Sequence, residues 1–323
     1  MTLTRRAFIV GSTCSLSATR LWAQGGDLVV LEGPAFGARW RVSLPVGANA
    51  DVVASKLTRI IMSVDAMMSP FKPTSEISIF NSNLTTRMQP VSADILTTVT
   101  EAKRIAQITH GAFDPTLGGV TGRYGFGPID SAPAGRFQDI VVSKTGLQKS
   151  HPAQTLDLCG IAKGFALDQM SAALVRLGHR DFFVELGGEV FAYGLHPEGR
   201  AWTAGIEHPI AGARGLQMAV RLDREALATS GDAVNSYLHA GHRYSHIIDP
   251  QIQRPTQSAL ASVSVFAPDA VTADAFATAL YAMGPRDGPD FAHDHQIPAV
   301  FLVREHVDLR EVMTADFAKR RIG

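Results

Sequence analysis

The stretch Ala261–Gly284, ASVSVFAPDAVTADAFATALYAMG, constrains the fold more than any other. Ala261–Ala267 alternates β-branched or aromatic residues with small ones, a strand pattern. Pro268-Asp269 breaks it, and from Val271 onward Phe276, Leu280 and Met283 recur at helical spacing. A strand running directly into an amphipathic helix calls for a sheet with helices packed on it. Asp274 and Thr278 stand four residues apart, so their oxygens share another face of that helix. Such a carboxylate–hydroxyl pair can hold a hard cation such as Mg²⁺. It is equally what an Asp favoured by the helix dipole beside an ordinary Thr would look like, and spacing alone leaves both open.

Further strand candidates are Asp27–Leu31, Ala38–Leu44, Phe182–Leu186, Val190–Tyr193, Ala201–Glu207, Leu216–Leu222 and Tyr244–Ile248. Helical periodicity appears at Asp51–Met68, with Val53, Leu57, Ile60, Ile61, Val64 and Met67 on the apolar side, and at Ser92–Thr109. Strands and helices do not alternate regularly, so the expected class is α+β: antiparallel or mixed sheets with packed helices. The 323 residues suffice for one large core, and no linker or repeat divides them. Lys plus Arg equals Asp plus Glu at 30 each, which removes the basic balance of a nucleic-acid surface or an anionic-membrane binder.

Residues 1–23 read as a targeting segment ahead of a domain over 24–323. Thr4-Arg5-Arg6-Ala7-Phe8-Ile9 is a twin-arginine pattern, a short apolar run follows, and Leu21-Trp22-Ala23 offers a cleavage site. The run is too short for a stable transmembrane segment. The expectation is therefore a soluble periplasmic protein. Cys14 raises a lipid anchor in the inner membrane, but Gly11-Ser12-Thr13 lacks the aliphatic residue of a lipobox. With Cys14 removed, Cys159 has no disulfide partner and reads as a small buried hydrophobe.

Pro70 and Pro73 forbid a continuous helix in MSPFKPTSEISIFN, and Ser75 precedes a short turn containing Ile77, Ile79 and Phe80. This loop carries an aromatic residue able to stack on a planar ligand. Gly118–Gly135 reads as a long surface loop. In Leu156–Leu177, Asp157 ends a strand, Gly160 turns the chain, and a helix begins near Ile161 with Phe165, Leu174 and Leu177 on its buried side. A Gly turn feeding a helix N-terminus, with Lys163 beside it, is an anion site in outline, although the Walker order is absent. Leu227–Asp232 reads as a tight polar turn. His239, His242 and His246 invite a zinc reading, but strand alternation spoils their ligand spacing. His246, at a strand end, suits either a base near neutral pH or a structural hydrogen bond.

MSPFKPTSEISIFN, GAFDPTLGG, DLCGIAKGFALD, VELGGEV, ATSGD, SHIIDP and TADAFATAL occur in the order seen in the ApbE-like FAD:protein FMN transferases, and together the chain resembles that family from about Phe36 to its end. The resemblance implies an enzyme that cleaves FAD, attaches FMN through a phosphoester to a Thr or Ser of an acceptor flavoprotein of the cell envelope, and releases AMP. It implies Mg²⁺ held by Asp274, Thr278 and the carbonyl of Gly160. It places FAD against Ala112, Phe113, Asp114, Asp157, Lys163 and Ile247, with Phe36 and Phe71 beside the flavin or adenine. It sets His246 on the family's histidine. Phe36-Gly37-Ala38 departs from the family's more usual Met-Gly-Thr, and Cys159 from a Gly or other small residue.

The chemistry expected is displacement at the FMN-side phosphorus, with His246 assisting proton removal and Asp274 serving the metal. Two other readings remain: a Mg²⁺-dependent FAD pyrophosphatase, with water as nucleophile, and a non-catalytic periplasmic flavin-binding protein.

Overall fold

The computed structural model describes residues 19–21, 28–129, 132–210, 215–240, 242–306 and 308–322. The twin-arginine pattern, Cys14 and the cleavage site at Ala23 lie outside them.

Nine strands form the main sheet: β1 (Thr19–Leu21), β2 (Leu28–Ala35), β3 (Ala38–Pro45), β4 (Phe182–Leu186), β5 (Glu189–Tyr193), β6 (Ala226–Gly231), β7 (Leu260–Ala267), β8 (Ala299–Glu305) and β9 (Asp308–Met313). They pair in chain order, each antiparallel to the next. Most other structure hangs in the connections; a single 3₁₀ turn at Phe317–Arg320 and a short strand at Arg321–Ile322 follow β9. Helices α1 (Ala50–Met68), α2 (Glu76–Ser82), α3 (Ala93–Ile108), α4 (Gly118–Arg123) and α5 (Ala162–Arg176) fall between β3 and β4, and α6 (Ala270–Asp294) between β7 and β8. The expected α+β class holds, and its main sheet is wholly antiparallel among the described residues.

The sheet is buried on both faces at its centre. Val263 and Val265 of β7 point into the helical side, whereas Phe266 meets a smaller core with Val300, Leu302 and Phe317. A three-stranded sheet containing Trp202–Glu207 and Leu216–Leu222 closes that second side. This is why β7 reads so clearly in sequence: every residue in it is buried.

Several expectations need correction. Leu227–Asp232 is not a turn; most of it lies in β6, at the middle of the sheet. Its small residues let α6 pack directly over it, and Thr229 and Ser264 bond across the strands at 2.8 Å. β2 runs on past the expected end at Leu31 through Gly33-Pro34 to Ala35, and the chain reverses at Phe36-Gly37, both at positive φ. Ser75 caps a true helix, α2, rather than opening a turn. Gly118–Gly135 begins with the short, largely buried α4 rather than a surface loop. Leu177 is exposed, not buried, because α5 has ended before it. Cys159 is exposed at the turn before α5, not a core residue. Thr19–Leu21, at the end of the segment read as a leader, pairs along the edge of β2, and the leader reading stands as an expectation.

α6 is two helices in one run. Gly284 has φ 83° and ψ −173°, a backbone state open to glycine alone, and Pro285 starts the returning arm. The reversal brings the chain back to the end of β7, where β8 begins, with Ala299 opposite Val265.

Candidate active site

Asp157 does not end a strand. The preceding residue, Leu156, is held by a side chain instead: Asn81 of α2 donates from Nδ2 to the Leu156 carbonyl and accepts from its N–H, both at 2.8 Å. Asp157 N–H then donates to the Pro115 carbonyl at 2.7 Å. Leu156 and the Asp157 N–H are thus bonded without a strand partner, which periodicity cannot reveal. Asn81→Ala leaves two backbone groups unpaired, so we expect a loss of about 2–3 kcal/mol, read as a lower midpoint in urea with an unchanged slope.

Beyond this clamp the chain turns at Gly160. Its Cα faces Phe113 and Thr278: a methyl group there would lie 3.1 Å from Phe113 Cε2 and 3.3 Å from Thr278 Oγ1. α5 starts with no side-chain cap. Its first turn is served from α6, where Asp274 Oδ2 accepts from Gly164 N–H at 2.9 Å. This is possible because α5 and α6 nearly touch: a methyl group on Gly164 would lie 2.7 Å from the Ala270 carbonyl carbon and from Val271 Cα. Asp168, one turn further, accepts from the N–H groups of Ala270 and Val271, so each helix caps the other.

Lys163 extends between two buried carboxylates. Its Nζ lies 2.7 Å from Glu189 Oε1 and 3.4 Å from Asp274 Oδ1. Burial alone would lower the ammonium's pKa, but the charges of Asp274 and Glu189 outweigh it and hold Lys163 protonated. Burial pushes the Glu189 carboxyl upward, against the pull of Lys163. Glu189 Oε2 is buried without a hydrogen-bond partner. The sequence reading missed Glu189; its signal is a lone Glu opening an apolar strand directly after Gly187-Gly188. It also missed Ser230 of β6, whose Oγ lies 3.4 Å from Thr278 Oγ1.

Asp274 Oδ1, Thr278 Oγ1, the Gly160 turn, Ser230 Oγ and the orphaned Glu189 Oε2 form an oxygen-only donor set. One Asp274 oxygen, Oδ2, is fixed by Gly164, and the other, Oδ1, faces Lys163 Nζ at 3.4 Å, a long contact for which a cation would compete. With two carboxylates and neutral oxygens, this set fits a small hard cation that takes its remaining ligands from phosphate or water. Among the described residues no group of three or more His, Cys, Asp or Glu side chains could hold a metal.

His246 lies within electrostatic reach of Lys163 and Asp157. Its Nδ1 lies 3.1 Å from the Asn235 carbonyl. A carbonyl only accepts, so Nδ1 carries the proton and Nε2 keeps its lone pair. Burial lowers the imidazole's pKa, and its charge is felt by Lys163, Asp232 and Asp157. His246 is therefore neutral at pH 7, and able to take a proton.

The remaining predicted residues divide. The Phe36 turn abuts the site, since Gly187 N–H donates to the Arg39 carbonyl at 2.9 Å and Gly187 lies against Ala38. Asp157 Oδ1 accepts from Cys159 N–H at 3.0 Å and so shapes the turn itself. Phe113 is almost fully buried under Gly160, and Ala112 packs on the same core. The Asp114 carboxylate points inward, accepting from Thr116 N–H and Oγ–H and from Phe137 N–H. These bonds tie the loop from within. Ile247 is buried, and its backbone groups pair with Ser245 Oγ and Thr256 N–H. Phe71, on the loop after α1, is 64 % exposed.

The ApbE family profile matches residues 25–301. A Vibrio cholerae FAD:protein FMN transferase is 32 % identical over 307 residues, covering 90 % of this chain and 92 % of its own. Among solved structures, the flavin transferase ApbE from Vibrio cholerae superposes with a TM-score of 0.81 at 30 % identity, covering 94 % of this chain and 100 % of its own. The apo form of the Pseudomonas stutzeri flavinyl transferase ApbE gives 0.82 at 29 % identity, covering 91 % and 96 %.

Proposed function

The chain belongs to the ApbE family, and from that premise we propose that it is an FAD:protein FMN transferase, moving FMN from FAD to a Thr or Ser hydroxyl of an acceptor protein with release of AMP. The observation that carries this reading is an Nε2-free His246 in the same charge field as Lys163, which stands in the first turn of an α5 whose N-terminus no side chain of its own caps.

The parts divide the work. The α5 N-terminus and Lys163 attract the diphosphate. A divalent cation held by Asp274, Thr278 and Gly160 would offset its charge and act as a Lewis acid. His246 Nε2 takes the proton of the acceptor hydroxyl as its oxygen bonds to the FMN-side phosphorus. The bond from that phosphorus to the bridging oxygen breaks, and its electron pair leaves with AMP. Gly160, lacking a side chain, leaves the approach to Thr278 open. We assign Mg²⁺ as the cation because oxygen donors and a phosphate substrate suit it.

For location, we propose a periplasmic protein exported through the twin-arginine leader, without lipid at Cys14. Cleavage after Ala23 would remove β1 and leave β2 as the sheet edge. N-terminal sequencing of protein from a periplasmic extract checks this, and a blocked, lipidated Cys14 would overturn it.

Incubation with FAD, Mg²⁺ and a Thr-bearing acceptor, followed by intact-mass measurement, tests the reaction. Acceptor gaining one FMN with equimolar AMP supports transfer. FMN and AMP released with the acceptor unlabelled would make the protein a pyrophosphatase, and FAD bound intact would make it a carrier. The pH profile should have an acidic limb with its midpoint below 6.5, because the lowered His246 pKa keeps the base neutral further into acid. In His246→Asn the rate should fall about 10²–10⁴-fold and the limb should vanish. A retained limb would assign the proton to another group.

A further inference from the structure

His246 owes its tautomer to one atom. The Asn235 carbonyl accepts from the backbone N–H of His246 at 3.1 Å, and His246 Nδ1 faces the same oxygen at 3.1 Å. That carbonyl therefore sets both where the ring stands and which nitrogen carries the proton. Asn235 itself lies in a bend between β6 and the small hairpin of Ser236–His239 and His242–Ser245, and belongs to no strand. The sheet ladder does not hold its carbonyl in place, so other groups must.

Asp232 supplies the hold. Its N–H donates to the Ala261 carbonyl of β7 at 3.3 Å, and its carboxylate accepts from Arg304 of β8. Its other carboxylate oxygen lies 3.9 Å from Arg243 Nε. The Asp232 carbonyl accepts from Ser236 Oγ–H at 2.6 Å, and Ser236 Oγ accepts from Arg243 Nη1 at 2.8 Å. Asn235 is thus bracketed: Asp232 before it and Ser236 directly after it are tied to each other, and Asp232 is tied to the main sheet. Arg304 is fixed in turn, since the Leu260 carbonyl accepts from it at 3.1 Å and from Tyr281 of α6 at 3.2 Å. Tyr281 stands one turn beyond Thr278, so the bracket and the cation ligands share one foundation. Asp232 is 3 % exposed. A buried ion pair is a weak way to stabilise a sheet, because desolvation offsets most of the attraction; its value here lies in what it positions.

We propose that Asp232 is a positioning residue for the base: held by Arg304 and Ser236, it fixes the Asn235 carbonyl that keeps the proton of His246 on Nδ1 and the lone pair on Nε2. It acts through that carbonyl. The catalytic use of the lone pair rests on the transferase reading above; the tautomer does not.

The test labels the histidines of the full-length protein with ¹⁵N and reads the ring nitrogens of His246 by NMR, assigned as the signals absent from His246→Asn. At about pH 8, above the ordinary imidazole pKa, the wild-type ring should show a protonated Nδ1 and a bare Nε2. Asp232→Ala should give a mixture of both tautomers, and kcat for acceptor labelling should fall about 10²-fold with the KM for FAD unchanged. Asp232→Asn, which still offers Arg304 an oxygen, should recover most of the wild-type tautomer and rate. Ser236→Ala opens the bracket on the hairpin side, away from the core, and should move tautomer and kcat the same way, the rate by about tenfold. If Asp232→Ala does not fold, Ser236→Ala decides alone. A wild-type ring protonated at Nε2, variants that keep the wild-type tautomer, or mixed tautomers with unchanged kcat would each overturn the proposal. Tautomer shifts as expected in a protein that labels no acceptor would reject the transferase reading and leave the positioning of the ring standing.

Discussion

Asp274→Asn should reduce Mg²⁺-dependent AMP release from FAD by about 10³-fold or more, the equivalent of roughly 4 kcal/mol of lost charge stabilisation in the transition state. The amide keeps the size of the carboxylate and can still accept from Gly164 N–H through its oxygen, so α5 and α6 should stay docked. Lys163 keeps Glu189 as its partner. What disappears is one negative charge from a buried set in which Asp274 is 2 % exposed. AMP release at several Mg²⁺ concentrations, alongside a circular dichroism melt, separates the two effects. Near-normal turnover with an unchanged melt would remove Asp274 from the metal site.

Gly164→Ala should be as damaging by another route. The added methyl meets backbone of α6 at Ala270 and Val271, and neither atom can rotate away. The helices must part, at a cost of about 3 kcal/mol or more, lowering Tm by roughly 5 °C or more. Both halves of the site ride on this contact: Lys163 is adjacent to Gly164, and Asp274 bonds to its N–H. Activity should fall further than the melt alone explains. A variant with wild-type Tm and turnover would show that the close approach is not needed.

The contrast between β7 and β6 shows what the sequence could disclose. β7 is recognisable because burial on both faces demands a run of apolar and small residues. β6 is equally central, yet Ala228, Thr229 and Ser230 were chosen by what lies above them, a helix at close range and a hydroxyl partner on β7, and small polar residues resemble a turn. In the site, Asp274 with Thr278 was legible because one helix carries both, and Lys163 with Gly160 because one turn does. His246 and the positions assigned to FAD became specific only through family resemblance. Glu189, Ser230 and Asn81 act across long sequence separations: Asn81 bonds 75 residues away. No local pattern encodes that pairing. Asp114 shows the converse, since a carboxylate in a motif can be a loop's internal tie.

The chain-order pairing of the main sheet bears on how the molecule assembles. β2 with β3, β4 with β5, and β8 with β9 are joined by short turns and can form early. The pairing of β3 with β4 cannot, because everything from α1 to α5 must be accommodated between Pro45 and Phe182 before Trp40 finds Leu186. Closing so long a loop carries a large entropy cost before any contact repays it. That closure should dominate the folding barrier, and it is the step that sets the Phe36 turn of β3 against Gly187. The Lys163–Glu189 pair, 26 residues apart across α5 and the β4–β5 hairpin, can form without it, so a chain that has folded only beyond α4 would hold the buried ion pair before it holds the wall beside it.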